Sequence, residues 1–321
     1  VRKNKEIIFS PELEKNFVQF IKKHYLQTKN VSYSPESENI IPYFKYHSSG
    51  NSCFLTYYSN KFNSLSSIAG FITSRPLECF LDNKKLLTYY VDYLCVDKNQ
   101  RNKGVAPKLI QSHIYNQRHK NKNVDIILFK RETKLNLLVP LTIFISYGFD
   151  LHYWRVPKSL PSGYNILKIT KDNFYYCRDI LEKYAKNRFN CVVYPNSSNF
   201  LHLIDTNNLI LYAFLYQNQI IGLYMFRDSC TTVNNRKIID CIGSISKIKE
   251  KNLFILGFHH CIFNLRKYKF SFVNIENISN NDCIIENILT KYTPNSISKT
   301  AYYFYNFAIT PILSKDVLIV S

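Results

Sequence analysis

The sequence predicts a mixed α/β chain made of two similar halves. Three observations carry this. Runs of β-branched and aromatic residues alternate with segments whose apolar residues fall at helical spacing. The stretch Ile68-Ala69-Gly70-Phe71-Ile72 has a counterpart in Ile220-Ile221-Gly222-Leu223-Tyr224, and both read as the second strand of a hairpin. The strand, helix and strand expected after the first (86–95, 106–117, 124–129) recur after the second (237–246, 252–266, 270–275), so a pseudo-repeat is the economical reading.

Taken in order, Ser10 and Pro11 open a helix, the hydroxyl as N-cap and the proline in the first turn. It is expected to run to about Leu26 with Phe17, Phe20, Ile21 and Tyr25 on one face. Residues 30–51 are polar and read as loop. Strands are expected at 52–58, 66–75, 78–80 and 86–95, then a helix over 106–117, a cationic loop at 119–123, a buried strand at 124–129 and an apolar, aromatic segment at 141–153. Pro157, Pro161, Ser162 and Gly163 mark a linker that divides the chain into 1–160 and 161–321. Beyond it, a strand at 166–169 precedes a helix over 172–186 capped near Thr170. Segments 209–216 and 219–228 form a hairpin about Gln217-Asn218. The repeated strand, helix and strand follow, and the tail contributes 302–307 and 316–321.

Composition bounds the function. A chain of 321 residues, 46% hydrophobic, buries a substantial core and is not disordered. The net charge of +19 attracts polyanions: nucleic acid, an anionic membrane or a phosphorylated cofactor. The cations are scattered and form no dense Lys/Arg block, so no specific nucleic-acid partner is expected, only weak attraction to anionic membranes or ribosomes. The 9 cysteines sit mostly in apolar segments without a C-x-x-C pair, which points to free buried thiols in a reducing, cytoplasmic setting. No Cys/His cluster has metal-ligand spacing, so no metal is expected. The most apolar run, 135–149, is too short to span a membrane and contains Pro140.

The stretch from Tyr90 to Ile110 carries the chemistry. Tyr90, Val91, Tyr93, Leu94 and Val96 read as a buried strand, 97–104 is polar and cationic, and Ala106, Leu109 and Ile110 begin a helical stripe. Between them, Arg101-Asn102-Lys103-Gly104-Val105-Ala106 reads R-x-x-G-x-A. A helix N-terminus offers unpartnered N–H groups and partial positive charge, Gly104 and Ala106 admit a ligand close to the backbone, and Arg101 and Lys103 add full charges. A pyrophosphate fits such a place; the plainer reading is a strand–turn–helix with a solvated basic loop. Cys95 has no His or carboxylate placed to activate it and reads as a core residue.

Acyltransferases of the GNAT superfamily hold the pyrophosphate of coenzyme A in this way. The wording is narrower still: Tyr93-Leu94-Cys95-Val96, then Arg101, Lys103 and Val105-Ala106-Pro107 with Leu109-Ile110, resembles the eukaryotic N-myristoyltransferases. The tail, Tyr302-Tyr303-Phe304-Tyr305-Asn306-Phe307 and 316–321, resembles the end of the same family.

The resemblance implies two GNAT-like lobes forming one continuous mixed sheet flanked by helices, an α/β (α+β) fold. Lobe 1–160 would bind acyl-CoA through Cys95, Val96, Arg101, Asn102, Lys103, Gly104, Val105, Ala106 and Pro107. Lobe 161–321 would complete the peptide groove. The implied reaction moves a myristoyl group from myristoyl-CoA to the N-terminal glycine of peptides and proteins, in a monomer, without an acyl-enzyme. The backbone N–H groups of Tyr93 and Leu94, at a bulge, would form the oxyanion hole, and the carboxylate of Ser321 would be the base. A free α-carboxyl has a pKa of about 3.5, and burial raises it towards useful basicity.

Departures fall on the acceptor side. Arg2, Lys3 and Lys5 stand where the family has an acidic extension. Phe129-Lys130-Arg131-Glu132 stands for Y-T-A-G, so that Lys130 replaces a threonine that orients the acceptor amine. The segment 143–146 lacks the histidine of R-Y-W-H, and Asn277 replaces an aspartate. Two further readings follow: an acyl-CoA- or peptide-binding module without turnover, and a general N-acetyltransferase.

Overall fold

The computed structural model describes residues 10–26, 31–48, 50–60, 67–122, 124, 126–132 and 138–321. Arg2, Lys3 and Lys5, named above, lie outside them, with residues 66 and 125 and parts of the 30–51, 119–123 and 135–149 stretches. Helix α1 (Pro11–His24) starts as its sequence dictates, with the Ser10 hydroxyl accepting from the Leu13 N–H at 3.3 Å, and it buries Phe17, Val18 and Ile21. The strands are β1 (Val31–Tyr33), β2 (Phe54–Ser59), β3 (Ile68–Leu81), β4 (Lys84–Val96), β5 (Ile126–Arg131), β6 (Pro140–Asp150), β7 (Tyr164–Lys168), β8 (Cys191–Tyr194), β9 (Leu209–Tyr216), β10 (Gln219–Val233), β11 (Arg236–Ser246), β12 (Phe270–Glu276), β13 (Ser296–Tyr305) and β14 (Val317–Ile319). The remaining helices are α2 (Ser37–Ile40), α3 (Val105–Lys120), α4 (Tyr175–Asp179), α5 (Ala185–Arg188), α6 (Ser197–Asp205), α7 (Lys251–Leu265) and α8 (Asn281–Leu289).

All these strands form one mixed sheet in the order β14-β8-β3-β4-β5-β13-β6-β12-β11-β10-β9-β7, with β2 on β3 and β1 on β10. The strand–helix–strand units are parallel, β4 with β5 and β11 with β12. The sheet is continuous because the halves trade their last strands. β6 pairs with β12, β13 pairs with β5, and β6 and β13 pair with each other at the centre. Outer strands cross over too: β1 joins β10, and β8 joins β3.

The repeat is visible residue by residue. The turns at Asp82-Asn83 and Asn234-Asn235 both place two residues at positive φ, the backbone that matches a hairpin's twist. Gly70 lets α3 close on β3: a Cβ there would lie 2.8 Å from Leu109 Cδ1. Gly222 does the same for α7, where a Cβ would lie 3.0 Å from Phe254 Cε2. The helices differ in depth. α7 buries 8 of its residues, including Phe254, Phe258, Cys261 and Ile262, whereas α3 buries only Val105, Leu109, His113 and Gln117.

Several expectations are corrected. The polar stretch 30–51 is not plain loop: it holds β1, α2 and a 3-10 turn over Ile41–Phe44, because Ile40, Ile41 and Phe44 are buried and the Asn39 side chain caps the Glu36 N–H. The separate strands 66–75 and 78–80 are one strand running through Pro76. The missing N–H is tolerated because Pro76 falls between the part of β3 that pairs with β2 and the part that pairs with β8. α3 continues to Lys120, into the stretch read as cationic loop. The helix expected over 172–186 is α4 and α5 joined by a π turn at Ile180–Tyr184. β8, α6 and α8 were not anticipated; Ile284, Ile285 and Ile288 of α8 have helical spacing, but follow an Asn-rich run that reads as loop.

Candidate active site

The turn between β4 and α3 is shaped by two left-handed residues, Asn102 at φ 62° and Gly104 at φ 75°. Gly104 is the N-cap of α3, has no capping side chain, and a Cβ there would meet nothing within 4 Å. No acidic residue occupies the first helical turn. The N–H groups of Val105 and Ala106 thus open onto an exposed nest flanked by Lys103, and Pro107 sits where a helix has no N–H to lose. Arg101 is used differently from expectation. Its Nη2 donates to the His24 carbonyl at 2.8 Å and its Nε to the Val96 carbonyl at 3.3 Å, pinning the end of α1 to the turn. The Lys98 N–H adds a bond to His24 Nδ1 at 3.2 Å.

Below this turn the sheet splits. β4 pairs with β5 only from Thr88–Tyr90 to Ile126–Leu128; from Val91 onward the strands part. The β3–β4 register shifts opposite Thr73, where β4 carries an extra residue at Asp92-Tyr93. This is the bulge proposed for the Tyr93 and Leu94 amides. The Tyr93 N–H donates to the Thr73 hydroxyl at 3.3 Å, the Tyr93 ring packs edge-on to Phe17, and its hydroxyl meets that of Tyr33 at 2.8 Å. Leu94 is 37% exposed at the opening. Cys95 is buried, and desolvation pushes its thiol up to about 12, which keeps it protonated.

A row of polar side chains crosses one face of the sheet beside the split. Arg75 on β3 is fully buried; its Nε donates to both Asp92 oxygens at 3.1 Å, and its guanidinium lies 4.9 Å from the Tyr43 ring centroid and 5.4 Å from that of Tyr90. Burial raises the Asp92 carboxyl, an effect Arg75 counters. On β5, the Lys130 Nζ meets Glu276 Oε1 of β12 at 2.5 Å and lies 5.7 Å from the Tyr302 ring centroid. Burial alone would depress the Lys130 ammonium, but the Glu276 carboxylate together with Tyr302 and Asp240 outweighs it and the net shift is upward. On β10, Arg227 donates through Nη2 to Asp240 Oδ2 at 3.1 Å and through Nη1 to the Ser321 O at 2.9 Å. Ser321 is 3% exposed, its hydroxyl 3.3 Å from the Tyr302 hydroxyl, and it borders Tyr90, the residue at which β4 and β5 separate.

The structure therefore places Arg101 to Pro107 in one turn, Cys95 and Val96 at the end of the strand leading to it, and Tyr93 and Leu94 at the split. Ser321 is held beside Tyr90 of the same strand. Sequence reasoning missed Arg75, Asp92, Arg227, Asp240 and Glu276. Each is a charge set among apolar residues of a strand, a signal that demands a buried partner of opposite sign. Among the described residues, no group of three His, Cys, Asp or Glu side chains could hold a metal ion, and no helix is long and apolar enough to cross a membrane.

Comparison with known proteins points in one direction. A protein of Amsacta moorei entomopoxvirus named "Putative glycylpeptide N-tetradecanoyltransferase" is 27% identical over 201 residues, spanning 61% of this chain and 67% of that protein. Saccharomyces cerevisiae N-myristoyltransferase with bound myristoyl-CoA and inhibitors superposes with a TM-score of 0.77 at 13% identity, over 99% of this chain and 86% of the yeast chain. A tandem GNAT protein from the clavulanic acid biosynthesis pathway superposes with a TM-score of 0.61 at 12% identity, over 93% and 96% of the two chains. No family model matches the sequence. The chain resembles the N-myristoyltransferases in sequence, and its fold is the two-lobed, GNAT-type fold of those acyltransferases.

Proposed function

We propose that this protein transfers a myristoyl group from myristoyl-CoA to the N-terminal glycine amine of peptides and proteins. The observation that carries the reading is the pairing of an open helix N-terminus, at Asn102 to Ala106, with a split in the sheet reached from the same strand. In this reading residues 1–160 hold acyl-CoA and 161–321 complete the acceptor groove. The nest and Lys103 neutralise the pyrophosphate, and Gly104 lets it approach. Arg101 adds long-range charge and fixes the turn. The backbone N–H groups of Tyr93 and Leu94 stabilise the oxyanion as the thioester carbonyl is attacked, that of Tyr93 exchanging the Thr73 hydroxyl for the reacting oxygen.

In a chain that ends at Ser321, its carboxylate removes a proton from the acceptor ammonium; the amine attacks the carbonyl, the C–S bond breaks, and the coenzyme leaves as a thiol. An α-amino group has a pKa of about 8, so its proton is available to a buried carboxylate. No side-chain nucleophile is needed, in keeping with the protonated Cys95 thiol.

The test is thiol release from myristoyl-CoA with a Gly-initiated peptide, run beside a chain extended past Ser321. Release by the unextended chain alone supports the transfer and the base together. Equal release by both removes Ser321 from the mechanism, and acetyl-CoA outrunning myristoyl-CoA favours an N-acetyltransferase. The pairing of Lys130, which departs from the family's threonine, with Glu276 favours as second reading a binding module: tight myristoyl-CoA binding without release.

A further inference from the structure

Glu276 ends β12 with its side chain 1% exposed. One carboxylate oxygen, Oε1, is held by the Lys130 Nζ at 2.5 Å, with Arg227 Nη2 at 4.0 Å. The other, Oε2, is buried and has no hydrogen-bond partner among the described residues. A buried carboxylate oxygen without a donor is costly, and in a native protein it implies a missing partner. Among the described residues no neighbour supplies one. Lys130 is committed to Oε1, and Arg227 divides its terminal nitrogens between Asp240 and Ser321. Those same contacts tie Glu276, through one guanidinium, to the Ser321 carbonyl group where the proposed base lies.

The chemistry of the position is also one-sided. An ammonium such as Lys130 has only donors and cannot accept a hydrogen bond from an incoming amine. The free acceptor beside it is Glu276 Oε2. The Lys130–Glu276 and Arg227–Asp240 pairs balance in charge, so an added cation meets a fixed, buried oxygen and not a net positive site.

We propose that Glu276 receives the acceptor's amine, its Oε2 accepting a hydrogen bond from the N-terminal ammonium while Lys130 fixes Oε1. This rests on the acyltransferase reading and names the residue that positions the nucleophile for it.

The test measures how strongly the protein distinguishes a Gly-initiated peptide from the same peptide begun with acetyl, which lacks only the amine. Calorimetry is done with the full chain loaded with a thioether analogue of myristoyl-CoA. Wild type should prefer the amine by about tenfold or more, the worth of a charged hydrogen bond. In Glu276→Gln that preference should fall below about twofold. The same loss is expected in Lys130→Met/Glu276→Leu, which replaces the ion pair with apolar groups of similar size and so guards against loss of the fold. Affinity for the thioether analogue should not change in either variant. A preference retained in both variants would mean that Oε2 is satisfied by a water and overturns the proposal, even if wild type releases thiol. Absence of thiol release and of peptide binding in wild type overturns the acyltransferase reading, and this inference with it.

Discussion

The two halves share a frame and differ at one turn. Each carries a glycine where a helix closes on the sheet, Gly70 and Gly222. Each carries an arginine five residues on, Arg75 and Arg227, paired with an aspartate of the next strand, Asp92 and Asp240. Each has a register shift in that strand pair. A bulge or a buried ion pair therefore belongs to the common architecture and does not by itself mark the reacting site. The helix N-termini differ. α3 begins at Gly104 in a left-handed conformation with no acid nearby, whereas α7 begins after Glu250, in extended geometry, whose carboxylate is the counter-charge to that helix's dipole. An anion is welcome at the first and opposed at the second. The arginines differ too: Arg75 Nη1 and Nη2 have no hydrogen-bond partner among the described residues, while Arg227 spends both terminal nitrogens on Asp240 and Ser321.

The largest effect should come from breaking the repeated pairs. Arg75→Met or Arg227→Met strands a buried aspartate and should cost about 3–5 kcal/mol in urea unfolding. Adding Asp92→Leu to the first should return most of that loss, and a double variant as unstable as the single one would show that Arg75 does more than balance charge. Next comes acid. Burial holds His113 of the first half and His259 of the second down to about 4, against an unfolded value near 6.5. Each is neutral when folded, so its contribution is intact above pH 6.5 and is lost as pH falls towards 4. The full loss is about 3 kcal/mol per histidine. Replacing His113, which bridges the Thr56 and Ser74 hydroxyls, with Gln should flatten the fall in stability between pH 7 and pH 5.

Gly104→Asp gives α3 the carboxylate that α7 already has, in a residue that tolerates positive φ. Acyl-CoA affinity by calorimetry should drop by about a hundredfold. Unchanged affinity would separate the coenzyme from this turn and end the comparison as a functional one. The smallest effect is the pair Gly70→Ala and Gly222→Ala, each about 1–3 kcal/mol from overpacking. Gly70 should be the costlier, because a Cβ there would lie 2.8 Å from Leu109 Cδ1 and 3.1 Å from the Cys95 carbonyl oxygen, against 3.0 Å and 3.3 Å for the corresponding contacts at Gly222.

Much of this was legible beforehand. The β4–turn–α3 stretch could be read because its determinants are local: an apolar strand, a polar cationic turn with a glycine, and a helical stripe beginning at Ala106. The hairpin at Gln217-Asn218 was legible for the same reason. The continuity of β3 through Pro76 was not, since it depends on which neighbour each segment of the edge meets. Nor was the structural use of Arg101, whose partners include the carbonyl of His24, 77 residues away.

By itself the sequence determined the strand and helix periods, the internal repeat and the one turn suited to an anion, because each follows from backbone preference over a few residues. The tertiary structure decided how the halves trade β6 and β13, and how charges scattered along six strands become one paired row beside Ser321. Charge pairing in a buried sheet is set by register between strands far apart in the chain. An isolated Arg or Asp reveals that it needs a partner, but only the folded sheet supplies it.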